Sequence, residues 1–422
     1  MRISYDHHLA YCTNIHPAET WAETWHVLKT HVLAVRDALP QWRDRPGRQP
    51  TEATASPPYA IGLRLSAQAA TELLTGHNLP AFQAWLAEEN CYVFTINGFP
   101  YGAFHGTRVK ENVYRPDWST AERLTYTNDL FTIIAALSPA DSGGSVSTLP
   151  GSFKEFQADE SALFRNLEAC ANHIEALAQQ TGKDLHLGLE PEPLGHFENT
   201  AETLAFFERF LAVAADPDLI KRRIGINYDT CHFALEFDDC RASLDTLRAA
   251  GLRISKVHLS SALEFTPSDP TALQSIKPFD EPTYLHQVIV SKDDDLPSVA
   301  SAKEGRLRKH LTRHKDLPDF LSSTLTNNQS PITPATARVH FHIPLYADPK
   351  EPLRSTQSHV TDLLAYRRDH PDFCNHFEIE TYTWGVLPGT LQTPIVEQIA
   401  NEYRWLLPLT EGQGPLSERS GG

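Results

Sequence analysis

The stretch Gly225-Ile226-Asn227-Tyr228-Asp229-Thr230-Cys231-His232-Phe233 decides the fold. Residues 224–228 combine a glycine with branched or aromatic residues and read as a short buried strand. That strand delivers Asp229 and His232 at its C-terminal end. A hard oxygen and an imidazole nitrogen three residues apart can face one point, which is a ligand pair for a divalent cation. Alone, an Asp-x-x-His is more often an Asp capping the next helix and an ordinary His. Here other apolar runs end in the same way. Glu190 follows 185–189, His258 lies near the end of 254–259, and Glu380 lies in 377–383.

Working outward, strand-like runs at 9–15, 60–66, 91–96, 145–148, 185–189, 224–228, 254–259 and 377–383 alternate with helical periodicity. The helices are expected at 19–39, 67–89, 119–137, 161–180, 199–215, 240–250, 355–369 and 394–407, with Asn199 or Thr200 as an N-cap. Such alternation means a parallel sheet with helices outside it. Eight units predict a closed (β/α)8 TIM barrel, an α/β fold, over residues 1–410 as a single domain. An open doubly wound sheet is the alternative, but no glycine-rich phosphate loop follows the first strand. A barrel places every strand's C-terminal end on one face, so Glu190, Asp229, His258 and Glu380 would meet there.

The rhythm breaks between strands seven and eight. Residues 260–345 read as an insertion, polar and Pro-rich up to about 337, with an extra strand at 338–345. Its composition suits a lid or a partner surface. Residues 43–58 read as a Pro-rich loop and 411–422 as a disordered tail.

The bulk properties narrow the function. The chain has 422 residues, 41% hydrophobic, with a formal charge of −16. That acidic balance argues against a nucleic-acid surface but leaves room for a small anionic substrate held by local cations. No apolar run approaches the ~20 residues of a membrane span, and the N-terminus lacks a signal-peptide core. The six cysteines show no CxxC spacing, so neither a disulfide framework nor a Cys-based zinc site is expected. A cytoplasmic location, a small-molecule metabolite as partner, and no membrane insertion are the expectations.

At Glu190, Asp229-Thr230-Cys231-His232, His258 and Glu380 the sequence resembles the xylose-isomerase-like TIM-barrel superfamily of sugar isomerases, epimerases and endonuclease IV. Leu189-Glu190-Pro191-Glu192-Pro193 is similar to the Glu-Pro-Lys-Pro of xylose isomerase, with Glu192 in place of Lys. The Asp-Thr-Cys-His and His340-Phe341-His342 resemble endonuclease IV's Asp-Thr-Cys-His and Asp-x-His, with His340 for Asp. A longer resemblance is to the EboE family of metabolite-traffic proteins. It is carried by Tyr11-Cys12-Thr13-Asn14-Ile15-His16-Pro17, Asn97-Gly98-Phe99-Pro100-Tyr101-Gly102, Phe104-His105-Gly106, Ser147-Thr148-Leu149-Pro150-Gly151, Val339-His340-Phe341-His342-Ile343-Pro344 and Glu380-Thr381-Tyr382-Thr383-Trp384.

These resemblances imply a divalent metal on Glu190, Asp229, His258 and Glu380, with Mn, Mg, Co or Zn all compatible. They imply Glu190 and Glu380 as the catalytic acid–base pair of an isomerase or epimerase, handling a small metabolite alongside other Ebo-cluster proteins. A second metal on His232, His340 and His342 would follow the endonuclease IV pattern; the alternative is a His pair flanking an edge strand. The fourth strand carries no His for a third metal. His16, Asn14, Asn97, His105, Lys110 and Trp384 are candidates to meet substrate, against packing or surface roles. Lys256 precedes His258 by two and shares its inward face, as an ion-pair partner or a substrate contact. Glu378 would be the deeper of two inward carboxylates, and Glu192 either a solvated loop carboxylate or a site residue. The competing functions are a metal-dependent phosphoesterase and a non-catalytic metabolite carrier or scaffold.

Overall fold

A computed structural model describes residues 1–40, 57–106, 108–293, 309–326 and 335–412. Most of the loop expected at 43–58 and of the tail expected at 411–422 lies outside the described residues, as does part of the insertion. The barrel strands are β1 (His7–Tyr11), β2 (Tyr59–Arg64), β3 (Cys91–Asn97), β4 (Gly144–Thr148), β5 (Leu185–Leu189), β6 (Ile224–Asp229), β7 (Ile254–Leu259) and, after the insertion, β13 (His376–Ile379). They pair in parallel in the order β1-β13-β7-β6-β5-β4-β3-β2. A parallel bridge from Cys12 to Gly62 joins the first strand to the second and closes the ring. Every residue of these strands is buried, as expected for strands covered by helices on one side and packed in a barrel on the other.

The inward positions are unusually polar. On β13 and just past it His376, Glu378 and Glu380 recur at every second residue, and on β7 Lys256 and His258 do the same, so each series shares one face. At the lower end His376 bonds Ser145 Oγ at 2.8 Å and the Ser142 carbonyl at 2.9 Å. One layer up, Lys256 Nζ pairs with Glu378 and reaches Ser147 Oγ at 3.2 Å. The mouth layer holds His258, Glu190, Asp229 and Glu380. Gly62, at a register shift in β2, makes room for the middle layer. A Cβ there would lie 1.9 Å from Glu378 Oε1 and 2.6 Å from the Tyr11 carbonyl oxygen. Gly62→Ala is therefore expected to destabilise the fold by about 3 kcal/mol, the upper end for an overpacked core. Denaturant titration checks this, and a loss below about 0.5 kcal/mol would show that the middle layer yields.

Several helices are shorter than their sequence patterns. The pattern over 67–89 divides into Ala67–Leu73 and Asn78–Glu88, because Gly76 takes a left-handed φ of +63° between them. The pattern over 19–39 contains a π-turn at Leu28–Val32. Asn199 is the N-cap of Thr200–Val213, accepting from Glu202 N.

The insertion is more ordered than its composition suggests. Strands β8 (Leu263–Phe265), β9 (Val288–Asp293), β10 (Lys309–His314), β11 (Ala335–Val339) and β12 (Leu353–Ser355) form an antiparallel sheet in the order β10-β9-β11-β8-β12. Leu263, Phe265, Val288, Phe320, Val339 and Phe341 belong to a second apolar core under it. The strand expected at 338–345 instead occupies Ala335–Val339, its last residue paired with Val288 and Leu263. Beyond Val339 the chain leaves the sheet and carries His340 and His342 back over the barrel mouth. Among the described residues no helix is long and apolar enough to cross a membrane.

Candidate metal centre

Asp229 is both a helix cap and a candidate ligand, one oxygen to each. Its Oδ1 accepts from Cys231 N at 2.7 Å, His232 N at 3.1 Å and Ser260 Oγ at 2.6 Å. Its Oδ2 is buried without a hydrogen-bond partner and lies 3.7 Å from His258 Nδ1. Burial pushes the Asp229 carboxyl up, but His232, His342 and His258 with the Ser260 hydroxyl outweigh it and hold the group below its usual range.

His258 is oriented from below. Its Nε2 lies 3.0 Å from Glu378 Oε2, and a carboxylate only accepts, so Nε2 carries the proton. Nδ1 then faces Glu190 Oε1 at 2.9 Å and Glu380 Oε2 at 3.2 Å. Burial disfavours the imidazolium, yet Glu380 and Glu190 raise its pKa well above the ordinary value. A proton and a metal ion therefore compete for the same Nδ1 lone pair. Glu190 is pushed up to about 7, by burial first and by Glu380 and Asp229, with His258 opposing. Glu380 is held by two amides, its Oε1 accepting from Asn14 Nδ2 at 2.9 Å and Asn97 Nδ2 at 3.0 Å.

One ligand atom from each of Glu190, Asp229, His258 and Glu380 lies within 4.8 Å of the others. Three buried carboxylates around one imidazole need cationic compensation, and an orphaned carboxylate oxygen points at the centre. The donor set fits a divalent ion, and its oxygen-rich character does not select among Mg, Mn, Co and Zn. Glu378 completes the carboxylate–imidazole support that metal-bound histidines usually have.

A second cluster adjoins the first. His232, His340 and His342 direct Nδ1 at the carbonyls of Pro191, Leu285 and Glu380, at 2.8, 3.2 and 3.0 Å. A carbonyl only accepts, so each Nδ1 carries the proton and each Nε2 a lone pair. The Nε2 of His232 lies 3.2 Å from that of His340 and 3.3 Å from that of His342. Burial lowers His232 to about 4 and holds His340 well below the ordinary imidazole value, so the lone pairs of these two are free near neutral pH. Three converging lone pairs with no donor between them suit a cation. Asp229 and Glu192 also border this cluster.

Both clusters border a cavity whose floor includes Asn14, Asn97, Glu190, Glu192, Glu380 and His340. Of the remaining substrate candidates, His105 stands one layer behind, its Nε2 on the Asn14 carbonyl and its Nδ1 2.9 Å from Tyr284 Oη. His16 bonds Tyr11 Oη at 3.1 Å and stacks on His31, outside the lining. Trp384 gives its indole N–H to the Thr393 carbonyl at 2.8 Å, and Lys256 lies beneath the floor, so neither lines the cavity. Glu192 faces inward, 3.4 Å from His232 Nδ1. Ser260, Tyr114 and Tyr284 were not singled out from sequence. Only Ser260 carried a signal, as the residue directly after β7.

No protein-family model matches this sequence, and none of the curated proteins does. Solved structures do resemble it. An IolI protein with a bound zinc atom aligns over 96% of this chain and 99% of its own, at 9% identity and a TM-score of 0.46. A xylose isomerase domain-containing protein from Salmonella typhimurium LT2 aligns over 97% and 99%, at 11% identity and 0.40. A family 2 AP endonuclease from Brucella melitensis aligns over 60% and 79%, at 12% identity and 0.33. At such identities the likeness is one of fold.

Proposed function

We propose that this chain is a metal-dependent isomerase or epimerase that moves a proton next to a carbonyl in a small polyhydroxylated metabolite. The observation that supports it is the placing of Glu190 and Glu380, which line the cavity, on either side of His258 Nδ1, with the unpartnered Asp229 Oδ2 behind them. Glu190, Asp229, His258 and Glu380 would hold the ion, which supplies charge stabilisation for the developing oxyanion. One of the two glutamates takes the proton and the other returns it. Asn14 and Asn97 keep the Glu380 carboxylate in register by holding its Oε1. The EboE-like stretches support a place in metabolite traffic with Ebo-cluster partners, and Asn97 and Glu380 both belong to them. Incorporation of solvent deuterium into recovered substrate tests the reading.

The three-imidazole cluster favours a second reading, a metal-dependent phosphoesterase using two adjacent ions. The outer oxygen of Glu380 already accepts from two amides, which disfavours a third ion there. We expect the protein to bind two equivalents of Zn²⁺ and His340→Ala to bind one, measured by equilibrium dialysis with elemental analysis. One equivalent in the parent chain would remove the second site. The second equivalent alone does not choose between the reactions, whereas hydrolysis of a phosphodiester does.

A further inference from the structure

The upper half of the cavity differs from its floor. Phe104, Val109 and Tyr284 form an apolar cluster separate from both the barrel core and the insertion core, with Tyr382 packed against it. The rings of Phe104, Tyr284 and Tyr382 lie 5.1 to 5.3 Å apart, each in contact with the other two. They come from the loop after β3, from the insertion and from the segment after β13, so three distant stretches converge on this wall. All three, and Val109, line the cavity.

Charge points the same way. Lys110 is the sole Lys or Arg among the described residues lining the cavity. Its Nζ is taken by Asp316, and both side chains are nearly buried. Asp316 is itself fixed, its Oδ1 accepting from His286 N and Leu317 N, each at 3.0 Å. Lys110 N is held on the Thr283 carbonyl at 3.0 Å. Releasing Lys110 to a ligand would strand a fixed carboxylate, which is costly.

Resting on the isomerase reading for the floor, we propose that the substrate is unphosphorylated and carries an apolar ring or alkyl group that lies against Phe104, Tyr284 and Tyr382. Its polar, oxygen-bearing end faces the carboxylates below. The pocket thus selects an amphipathic, uncharged metabolite and discriminates against a sugar phosphate.

Three hydroxamates that share one metal-binding head test this on the full-length, Zn²⁺-loaded protein by calorimetry. Benzohydroxamate is expected to bind at least about tenfold more tightly than acetohydroxamate, and phosphoglycolohydroxamate no more tightly than acetohydroxamate. Phe104→Ala should reduce the benzohydroxamate advantage to less than about threefold while leaving acetohydroxamate unchanged. Asp316→Asn keeps an acceptor for His286 N and Leu317 N but frees Lys110. It should tighten phosphoglycolohydroxamate about tenfold. The proposal is overturned if benzohydroxamate has no advantage or does not bind, or if phosphoglycolohydroxamate is tenfold tighter than acetohydroxamate in the parent chain. The series needs no turnover. A failure of proton transfer in the deuterium test therefore leaves its outcome standing, and the two failures are separable.

Discussion

Asp229→Asn is expected to weaken binding of the first divalent ion by about a hundredfold or more, since loss of outer-shell partners alone costs 10- to 100-fold. The fold should survive. The Asn carbonyl oxygen can still accept from Cys231 N, His232 N and Ser260 Oγ, as Asp229 Oδ1 does. What is lost is the charge on Oδ2, the oxygen with no hydrogen-bond partner. In the metal-free protein that charge is favoured by His232, His342 and His258, which hold the carboxyl below its usual range, so the variant should be less stable than the parent in chelator, by about 1 kcal/mol or more. Metal dialysis and denaturant titration in EDTA read the two effects separately. Parent-like affinity would remove Asp229 from the ligand set, and gross unfolding would make the site structural. His258→Ala should lose metal too, but it leaves Glu378, which also pairs with Lys256, with one partner fewer in a buried layer, so it is the less clean variant.

The two oxygens of Asp229 explain why its role was half legible in the sequence. The capping and ligand readings competed there as alternatives, and the structure gives one oxygen to the cap and leaves the other without a hydrogen-bond partner. The barrel itself was legible because strand and helix periodicities differ and alternate over most of the chain. Two-residue alternation also placed Lys256 with His258 and Glu378 with Glu380 on shared faces. The segment 260–345 was misleading because a small antiparallel sheet needs only short apolar runs. Val288 and Val339 bury a core there without a long periodic signal. The aromatic wall was not legible at all. Phe104, Tyr284 and Tyr382 belong to loops and an insertion, and nothing local in a sequence tells which loop residues meet. His16 and Trp384 stand near candidate site residues in sequence, yet each has a local partner that turns it away, Tyr11 and Thr393.

Glu380→Gln separates proton transfer from hydrolysis. The substituted amide can keep its carbonyl oxygen where Oε1 now accepts from Asn14 and Asn97, so the side chain should stay in place. The oxygen facing His258 Nδ1 at 3.2 Å becomes an amide nitrogen, which cannot take a proton. If Glu380 and Glu190 exchange a proton with substrate, that proton meets solvent before it returns. Recovered substrate or product should then carry deuterium at one carbon after incubation in D₂O with divalent ion. A panel of triose to hexose ketoses, free and phosphorylated, with amphipathic glycosides added, is the starting set. Exchange should fall by about a thousandfold in Glu380→Gln, within the range for loss of a general base. The assay should be run at ion concentrations that load the three remaining ligands, so that the loss reports the base and not the metal. Exchange that persists would move the base to Glu190 alone. Metal-dependent hydrolysis of a phosphodiester, with no exchange on any sugar, would replace proton transfer by phosphoester chemistry. The three imidazoles at the mouth would then be the residues that decide the reaction.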